Sequence, residues 1–286
     1  MAVTVRPINL PAPVPLRIVR LTGRPSTMGR MWPDPPNASR PPRTPTRPDR
    51  LRSLAIETSG RIGSVALGRG PEVLEAEAFS TTHRHAVELL PTVVRICAAR
   101  EVAPDAIDEV YVSGGPGSFT GLRVGVTFAR ALAFACGVKI VRVPTLDVIA
   151  QNALDVTDPP EALAVILDAK RKRIFAAAFA LTDDGYARAQ EPAELDPDGF
   201  FAALPAGCRA IGEGILHHQE AVARARLGVL PESLNRARAE VVHRLGYRLA
   251  RQGRFDDPAC LVPIYVRRPQ AEEVWEARHG RSDADR

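Results

Sequence analysis

The stretch Ser113-Gly-Gly-Pro-Gly-Ser-Phe-Thr-Gly-Leu-Arg123 has the composition of a turn built for close approach. Glycines at 114, 115 and 117 permit backbone geometries closed to other residues and let a ligand or partner reach the main chain. Ser118 and Thr120 stand where a helix should begin, and either hydroxyl can cap its free amides. Such a corner favours anions. No GKS or GKT follows the glycines, so it is not a Walker A loop, and the GxGxxG spacing is missing as well. A phosphate site and a plain structural turn both remain open.

A second group is Glu57-Thr58-Ser59, an acid followed by two small hydroxyl residues. Glu57 could hold a Mg²⁺-bound water, but no second acid is near it in sequence, and a satisfied carboxylate at a buried edge is the competing reading. His83 and His85 are two apart and His217 and His218 adjacent, so neither pair has the spacing of helical metal ligands, and no metal is expected. Cys97, Cys136, Cys208 and Cys260 lie far apart, with no CxxC pair for zinc or redox chemistry. No GxSxG elbow or Cys/His nucleophile signature marks a hydrolase. Asp168-Ala-Lys-Arg-Lys-Arg173 concentrates four cations, either as a solvated hairpin tip or as a phosphate contact, with Phe175 the sole aromatic beside it.

These groups need elements to place them. LRSLAIETS reads as a buried strand ending in a polar turn, and GSVALGR and EVLEAEAF as two more strands, with glycines 60, 63 and 70 at the turns. HRHAVELLPTVVRICAAR carries Ala86, Leu90, Val93/Val94 and Cys97 at helical spacing, with Pro91 predicting a kink or a later start. DEVYVSGG is a strand feeding the glycine loop, and TGLRVGVTFARALAFACG a long helix closed by Gly137. On that helix Gly121, Gly125 and Ala129 are four apart and form a smooth strip. Interior glycines cost a helix about 1 kcal/mol each, so close approach of another backbone, from this chain or another, is expected there. VKIVRVP is a strand, and TLDVIAQNAL a helix capped by Thr145.

The second half repeats the theme. ALAVILDAKRKRIFAAAFAL reads as two strands around the basic turn, PDGFFAAL as a short helix and CRAIGEG as a strand with a glycine turn. ILHHQEAVARARL and SLNRARAEVVHRLGYRLARQG follow as helices, the latter with Val241, Val242, Leu245 and Leu249 on one stripe. Strand triplets followed by helices, twice over, predict a two-lobed α/β architecture with mixed sheets. The expected division is an extension over 1–50, a first lobe over 51–155, and a second lobe with a C-terminal tail over 156–286.

Of 286 residues, 45% are hydrophobic, 25% charged and 5% aromatic, so the core must come from Ala, Val, Leu and Ile. The net charge of +5 arises in the Pro/Arg-rich first fifty residues, where Asp34 and Asp49 are the acids. That segment is expected to be disordered or a mis-started extension, with a transit peptide as the other reading. No other window reads as a bilayer span, and Arg123 and Arg130 interrupt the helix over 119–136.

The acid–hydroxyl turn after a first strand and the later glycine-rich strand–loop–helix match the layout of the actin/Hsp70/sugar-kinase superfamily. LAIETSGRIGSVALG, THRHAVELLPTV, GGPGSFTGLRVGVTFARALAF and VPTLDVIAQ, in that order, resemble successive blocks of the TsaB (YeaZ) family. LDAKRKRIFAAAF and PIYVRRPQAEE are more loosely similar to its second-lobe hairpin and C-terminal segment. The resemblance covers residues 51–273 and implies a two-lobed actin-like ATPase (ribonuclease H-like) fold. It further implies a non-catalytic, cytoplasmic scaffold that pairs with a TsaD-type subunit, which carries ATP and metal and threonylcarbamoylates adenosine 37 of ANN-decoding tRNAs. A TsaE-type ATPase is a further partner, tRNA an indirect one, and the free subunit a candidate homodimer. On this reading Glu57, Thr58, Ser59, Gly114, Gly115, Gly117, Ser118 and Thr120 form a degenerate phosphate-loop-like site. The partner surface would comprise His85, Leu89, Val93, Gly121, Arg123, Gly125 and Ala129. A stand-alone actin-like ATPase or kinase, or a glycopeptidase-like hydrolase, are the alternatives.

Overall fold

The computed structural model describes residues 48–82 and 84–264. The extension before Pro48, His83 and the C-terminal segment from Tyr265 onward lie outside the described residues. The short turn Pro48–Arg50 leads directly into the first strand.

β1 (Arg52–Glu57), β2 (Ser64–Arg69) and β3 (Glu72–Ala78) form an antiparallel meander. β4 (Glu109–Ser113) and β5 (Lys139–Val143) add on the other side of β1 in parallel, giving the order β3-β2-β1-β4-β5. Period-two alternation gives each strand two apolar faces. Leu54, Ile56, Val110 and Val112 face α1 (His85–Ala99) and α2 (Phe119–Cys136), meeting Leu89, Val93, Ile96, Val126 and Ala129. Ala55, Ala66, Tyr111 and Val141 face the other way, into the centre of the molecule.

The second sheet repeats the plan. β6 (Ala162–Asp168) pairs antiparallel with β7 (Ile174–Thr182), which pairs with β8 (Gly185–Arg188) and β9 (Ala193–Leu195). After α4 (Pro197–Ala202), β10 (Arg209–Ile211) lies parallel to β6, and β11 (Gly228–Val229) parallel to β10. Read as β8-β7-β6-β10-β11, this order matches that of the first sheet, strand for strand. α4 and α5 (Gln219–Arg224) cover its outer face through Phe200, Phe201, Ala221 and Val222.

α3 (Thr145–Asn152) and α6 (Ala239–Arg251) fill the layer between the sheets. Although α6 follows the second sheet in sequence, it lies against β1, β2, β4 and β5 of the first. Gly246 makes the fit possible, because a Cβ there would stand 2.3 Å from Tyr111 Cγ. Gly68 plays the same part for the His243 ring.

Several expectations are corrected. α1 starts at His85 and runs through Pro91, which it keeps on its exposed side. Ala86, Leu90 and Val94 point to solvent, while Val93 and Cys97 are buried. Thr145 does not cap α3: its hydroxyl instead accepts the Gly115 amide at 3.1 Å. The helix expected over 215–227 is a 3-10 turn at Glu213–His217 followed by the six residues of α5. α6 begins only at Ala239, and Leu249 at its end is half-buried. Among the described residues α2 is by length and composition able to cross a membrane, two arginines notwithstanding. Here its inner face lies on the first sheet.

Candidate functional site

β1 and β4 are parallel neighbours, so their C-terminal ends deliver Glu57 and Ser113 to the same edge of the sheet. The chain turns sharply after each. Glu57 is wholly buried. Its Oε1 accepts both the Ser59 amide and the Ser59 hydroxyl, each at 2.5 Å, whereas Oε2 has no hydrogen-bond partner. Burial pushes the carboxyl up from its ordinary value, against the pull of the two Ser59 hydrogen bonds. The Thr58 amide donates to Ser113 Oγ at 3.3 Å, and the Ser118 amide to the Ser59 carbonyl at 2.7 Å. The two turns are thus tied to each other.

The glycine loop makes the same kind of contact along its length. Gly115, before a cis peptide to Pro116, has φ of 104°, a region that disfavours side chains. Its carbonyl accepts the Thr145 amide at 3.0 Å. The Gly114 carbonyl accepts the Ile264 amide at 2.7 Å, so the chain's own C-terminal strap closes over the loop. A Cβ at Gly117 would lie 2.4 Å from the Ser59 carbonyl oxygen. Ser118, and not Thr120, caps α2, its hydroxyl accepting the Gly121 amide at 3.2 Å; Thr120 is exposed. The amides of Ser118 and Gly121 are therefore already satisfied by groups of this chain. Gly114, Gly115, Gly117, Ser118 and the Glu57-Thr58-Ser59 turn are brought together, and the result reads as a structural joint as much as a cradle.

Asp168 ends β6 in the second sheet at the position Glu57 holds in the first. It accepts Lys170 Nζ at 2.7 Å and faces His218 Nε2 at 3.4 Å. Among the described residues no three His, Cys, Asp or Glu side chains are grouped to hold a metal.

The surface expected for a partner is corrected. His85, Leu89, Val93, Gly121, Gly125 and Ala129 are all buried within this chain, and of the seven Arg123 alone is exposed. His85 Nε2 donates to the Gly60 carbonyl at 3.0 Å. A Cβ at Gly121 would stand 2.0 Å from the Thr58 carbonyl oxygen, and one at Gly125 2.4 Å from Thr58 Oγ1. The small-residue strip exists because α2 crosses the end of β1 at close range, so its partner is the chain's own sheet.

The outward faces carry a different set. Val87, Leu90 and Val94 of α1 are 58%, 56% and 55% exposed, and Phe119 and Phe134 of α2 are exposed as well. The Arg123 guanidinium lies 3.7 Å from the centre of the Phe119 ring. Sequence reasoning missed Val87, Phe119 and Phe134 and turned Leu90 and Val94 inward. The signal was present. α1 carries two apolar sets at helical spacing, Leu89/Val93/Ile96 and Val87/Leu90/Val94, more than one sheet face can cover.

The family model described as "TsaD: tRNA N6-adenosine threonylcarbamoyltransferase" matches residues 73–195. The tRNA threonylcarbamoyladenosine biosynthesis protein TsaB of Bacillus subtilis is 30% identical over 126 residues, 44% of this chain and 54% of that protein. TsaB of Escherichia coli is 31% identical over 149 residues, 52% and 64% respectively. The chain thus spans about half to two thirds of the length of the curated TsaB relatives it matches. An uncharacterized protein of Mycobacterium tuberculosis is 29% identical over 230 residues, covering 77% of this chain and 94% of that protein. The solved structure of YeaZ from Pseudomonas aeruginosa superposes with a TM-score of 0.66 at 27% identity, over 75% of this chain and 99% of that one. The duplicated mixed sheets flanked by helices are an actin-like ATPase fold.

Proposed function

We propose that this chain is a member of the TsaB (YeaZ) family and a scaffold subunit of the machinery that makes threonylcarbamoyladenosine in tRNA, a reading supported by its TsaB relatives and the YeaZ structure. It has no turnover of its own on this reading. It pairs in the cytoplasm with a TsaD-type transferase that carries the ATP and metal, and a TsaE-type ATPase joins them.

The observation that carries the proposal is the apolar face that α1 and α2 turn outward, Val87, Leu90, Val94, Phe119 and Phe134. Val87, Leu90 and Val94, aliphatic side chains more than half exposed at helical spacing on α1, mark a protein–protein surface, with the exposed Phe119 and Phe134 adding aromatic area on α2. Arg123 on Phe119 adds a hot-spot residue type at its edge. The closed glycine loop supports a scaffold rather than a catalyst, since Ser59, Thr145 and Ile264 occupy its polar groups.

The test is co-purification with the TsaD-type subunit of the same cell, followed by size exclusion. Wild type should form a stable complex, and Leu90→Asp and Val94→Asp should each weaken it at least about tenfold while remaining folded by circular dichroism. No complex with wild type, or full-strength complexes with both variants, sinks the pairing. A homodimer of the free subunit through the same face should be lost in the same variants.

A second reading, an ATPase or kinase in its own right, draws on the unpartnered Glu57 Oε2. ATP turnover by the purified chain that disappears in Glu57→Ala would favour it over the scaffold.

A further inference from the structure

β5 is an edge strand of the first sheet, and its sequence, Lys139-Ile-Val-Arg-Val143, is rich in β-branched residues. Such an edge is a template for another strand unless something guards it. The opposite edge, β3, is guarded by Glu72, Glu75 and Glu77 and by a bulge where it meets Leu67 and Gly68. β5 pairs with β4 without a bulge, and its two cations are engaged by the C-terminal strap, residues 254–264. Lys139 Nζ lies 4.9 Å from the centre of the Phe255 ring, and Arg142 Nη2 lies 3.5 Å from Asp256 Oδ1.

The strap leaves α6 at Gly253, whose φ of 74° turns the chain toward β5. Asp256 then stands in for a neighbouring strand. Its amide donates to the Ile140 carbonyl at 2.9 Å, and its Oδ2 accepts the Arg142 amide at 2.7 Å. The second bond is the informative one. A strand would offer that amide a backbone carbonyl, whereas the strap offers a side chain, so pairing stops at one isolated bridge. Farther on, Arg142 Nη1 donates to the Val262 carbonyl at 2.9 Å, and the Ile264 amide to the Gly114 carbonyl at 2.7 Å. Leu261 is buried against the helix side of the sheet, while Cys260 and Val262 are exposed. The cover is fastened at separate points and not along a ladder.

The groups beneath it are self-complementary. The Ile140 carbonyl and the Arg142 amide point away from β4, since Asp256 reaches both. Two copies of β5 laid antiparallel about Val141 set Ile140 opposite Arg142 and Lys139 opposite Val143. No like charges face each other in that register, and each copy's outward amide meets the other's outward carbonyl. The contact closes on itself about a two-fold axis.

We propose that the strap is an autoinhibitory cover on the β5 edge, and that its release lets a second copy of this chain add through β5 in antiparallel pairing. One carboxylate decides between the covered and the paired edge, because Asp256 holds both outward groups.

The test is light scattering after size exclusion, on full chains that all carry Leu90→Asp. That background removes association through α1 and keeps the result apart from the proposed function. With the strap in place the chain should be a monomer. The release variant, Asp256→Ala/Leu261→Ser, should rise from one chain to two in mass as concentration increases through roughly 1–100 μM. Asp256→Asn keeps an acceptor for the Arg142 amide and should stay monomeric. Adding Arg142→Pro to the release variant removes the outward amide at an edge position that tolerates proline, and should restore the monomer.

Circular dichroism checks that each chain is folded. Should the double variant not fold, Asp256→Ala alone is expected to rise in mass over the same range, by less. A folded release variant that stays monomeric overturns the proposal, and so does a dimer that survives Arg142→Pro. A Leu90→Asp chain that dimerises with Asp256 and Leu261 intact overturns it as well, since the strap would then cover nothing.

Discussion

Gly121→Ala separates two accounts of the small-residue strip on α2. Helix propensity alone favours the substitution by up to about 1 kcal/mol, and less here because Gly121 sits in the first turn. Against that, the added Cβ would stand 2.0 Å from the Thr58 carbonyl oxygen and 2.9 Å from His85 Cδ2. The nearer atom is backbone, at the end of a strand held between β2 and β4, so no rotamer change relieves the contact. The start of α2 must withdraw, straining the Ser118–Ser59 hydrogen bond at 2.7 Å as it goes. Overpacking of this kind costs about 1–3 kcal/mol, and a backbone collision belongs at the upper end. The net expectation is a loss of about 1–2 kcal/mol, which for a chain of this size lowers Tm by roughly 2–8 °C. Urea and thermal unfolding of the isolated chain read it directly. A Gly121→Ala chain as stable as wild type, yet unable to bind its partner, would mean that the strip faces another protein and that the packing argument is wrong.

Two further outcomes follow from buried titratable groups. The His243 ring is fully buried beside Tyr111 and Tyr247 with neither nitrogen hydrogen-bonded, and burial, helped by the Arg244 charge, holds it down to about 4. Between that value and the unfolded value near 6.5 the unfolded chain binds the extra proton, so stability should fall with pH, by about 3 kcal/mol in all. Wild type minus His243→Leu, measured in urea from about pH 7 to 4, isolates this from Glu57, whose raised value acts in the opposite sense; equal slopes for the two proteins would refute it. Cys260 is exposed, while Cys208 is buried and pushed up to about 12. A thiol reagent at neutral pH should therefore label Cys260 in the native protein and reach Cys208 only on unfolding, a result that early labelling of Cys208 would contradict.

Much of the fold was legible because each strand and long helix carried its own punctuation. Gly137, at φ of 69°, closes α2 where the pattern ends, and Ser118 caps it where the pattern begins. Glu57, Thr58, Ser59, Gly114, Gly115, Gly117 and Ser118 meet at one edge of the first sheet, whereas Thr120 stays exposed on α2. What could not be read was direction. Helical spacing on α1 fits two faces equally well, and only the sheet decides that Leu89 goes in and Leu90 out. Thr145 has the residue type of a cap, yet its hydroxyl is taken by a loop thirty residues earlier in the chain. The depth of α6 was equally hidden. Gly246 looks like a weak point in a helix until Tyr111 is known to lie beneath it.

The same geometry explains why a loop with little room for a ligand should still matter to the outer surface. Glu57 fixes Ser59; Ser59 receives the Ser118 amide, and so sets where α2 begins. One residue on, Gly60 receives His85 and sets where α1 begins. Both helices therefore take their starting points from a single three-residue turn anchored by a buried carboxylate. The inward strip Gly121/Gly125/Ala129 lets α2 lie close enough to that turn for the hydrogen bonds to form. Removing the Glu57 carboxylate should thus disturb the relation between Leu90 and Phe119 on the outside as well as the turn within. A Glu57→Gln chain keeps the size and an acceptor for Ser59 but not the charge. It should retain partner binding where Glu57→Ala loses it, if the turn's work is to position helices. Equal loss in both would mean that the charge itself is used, and would return the turn to chemistry.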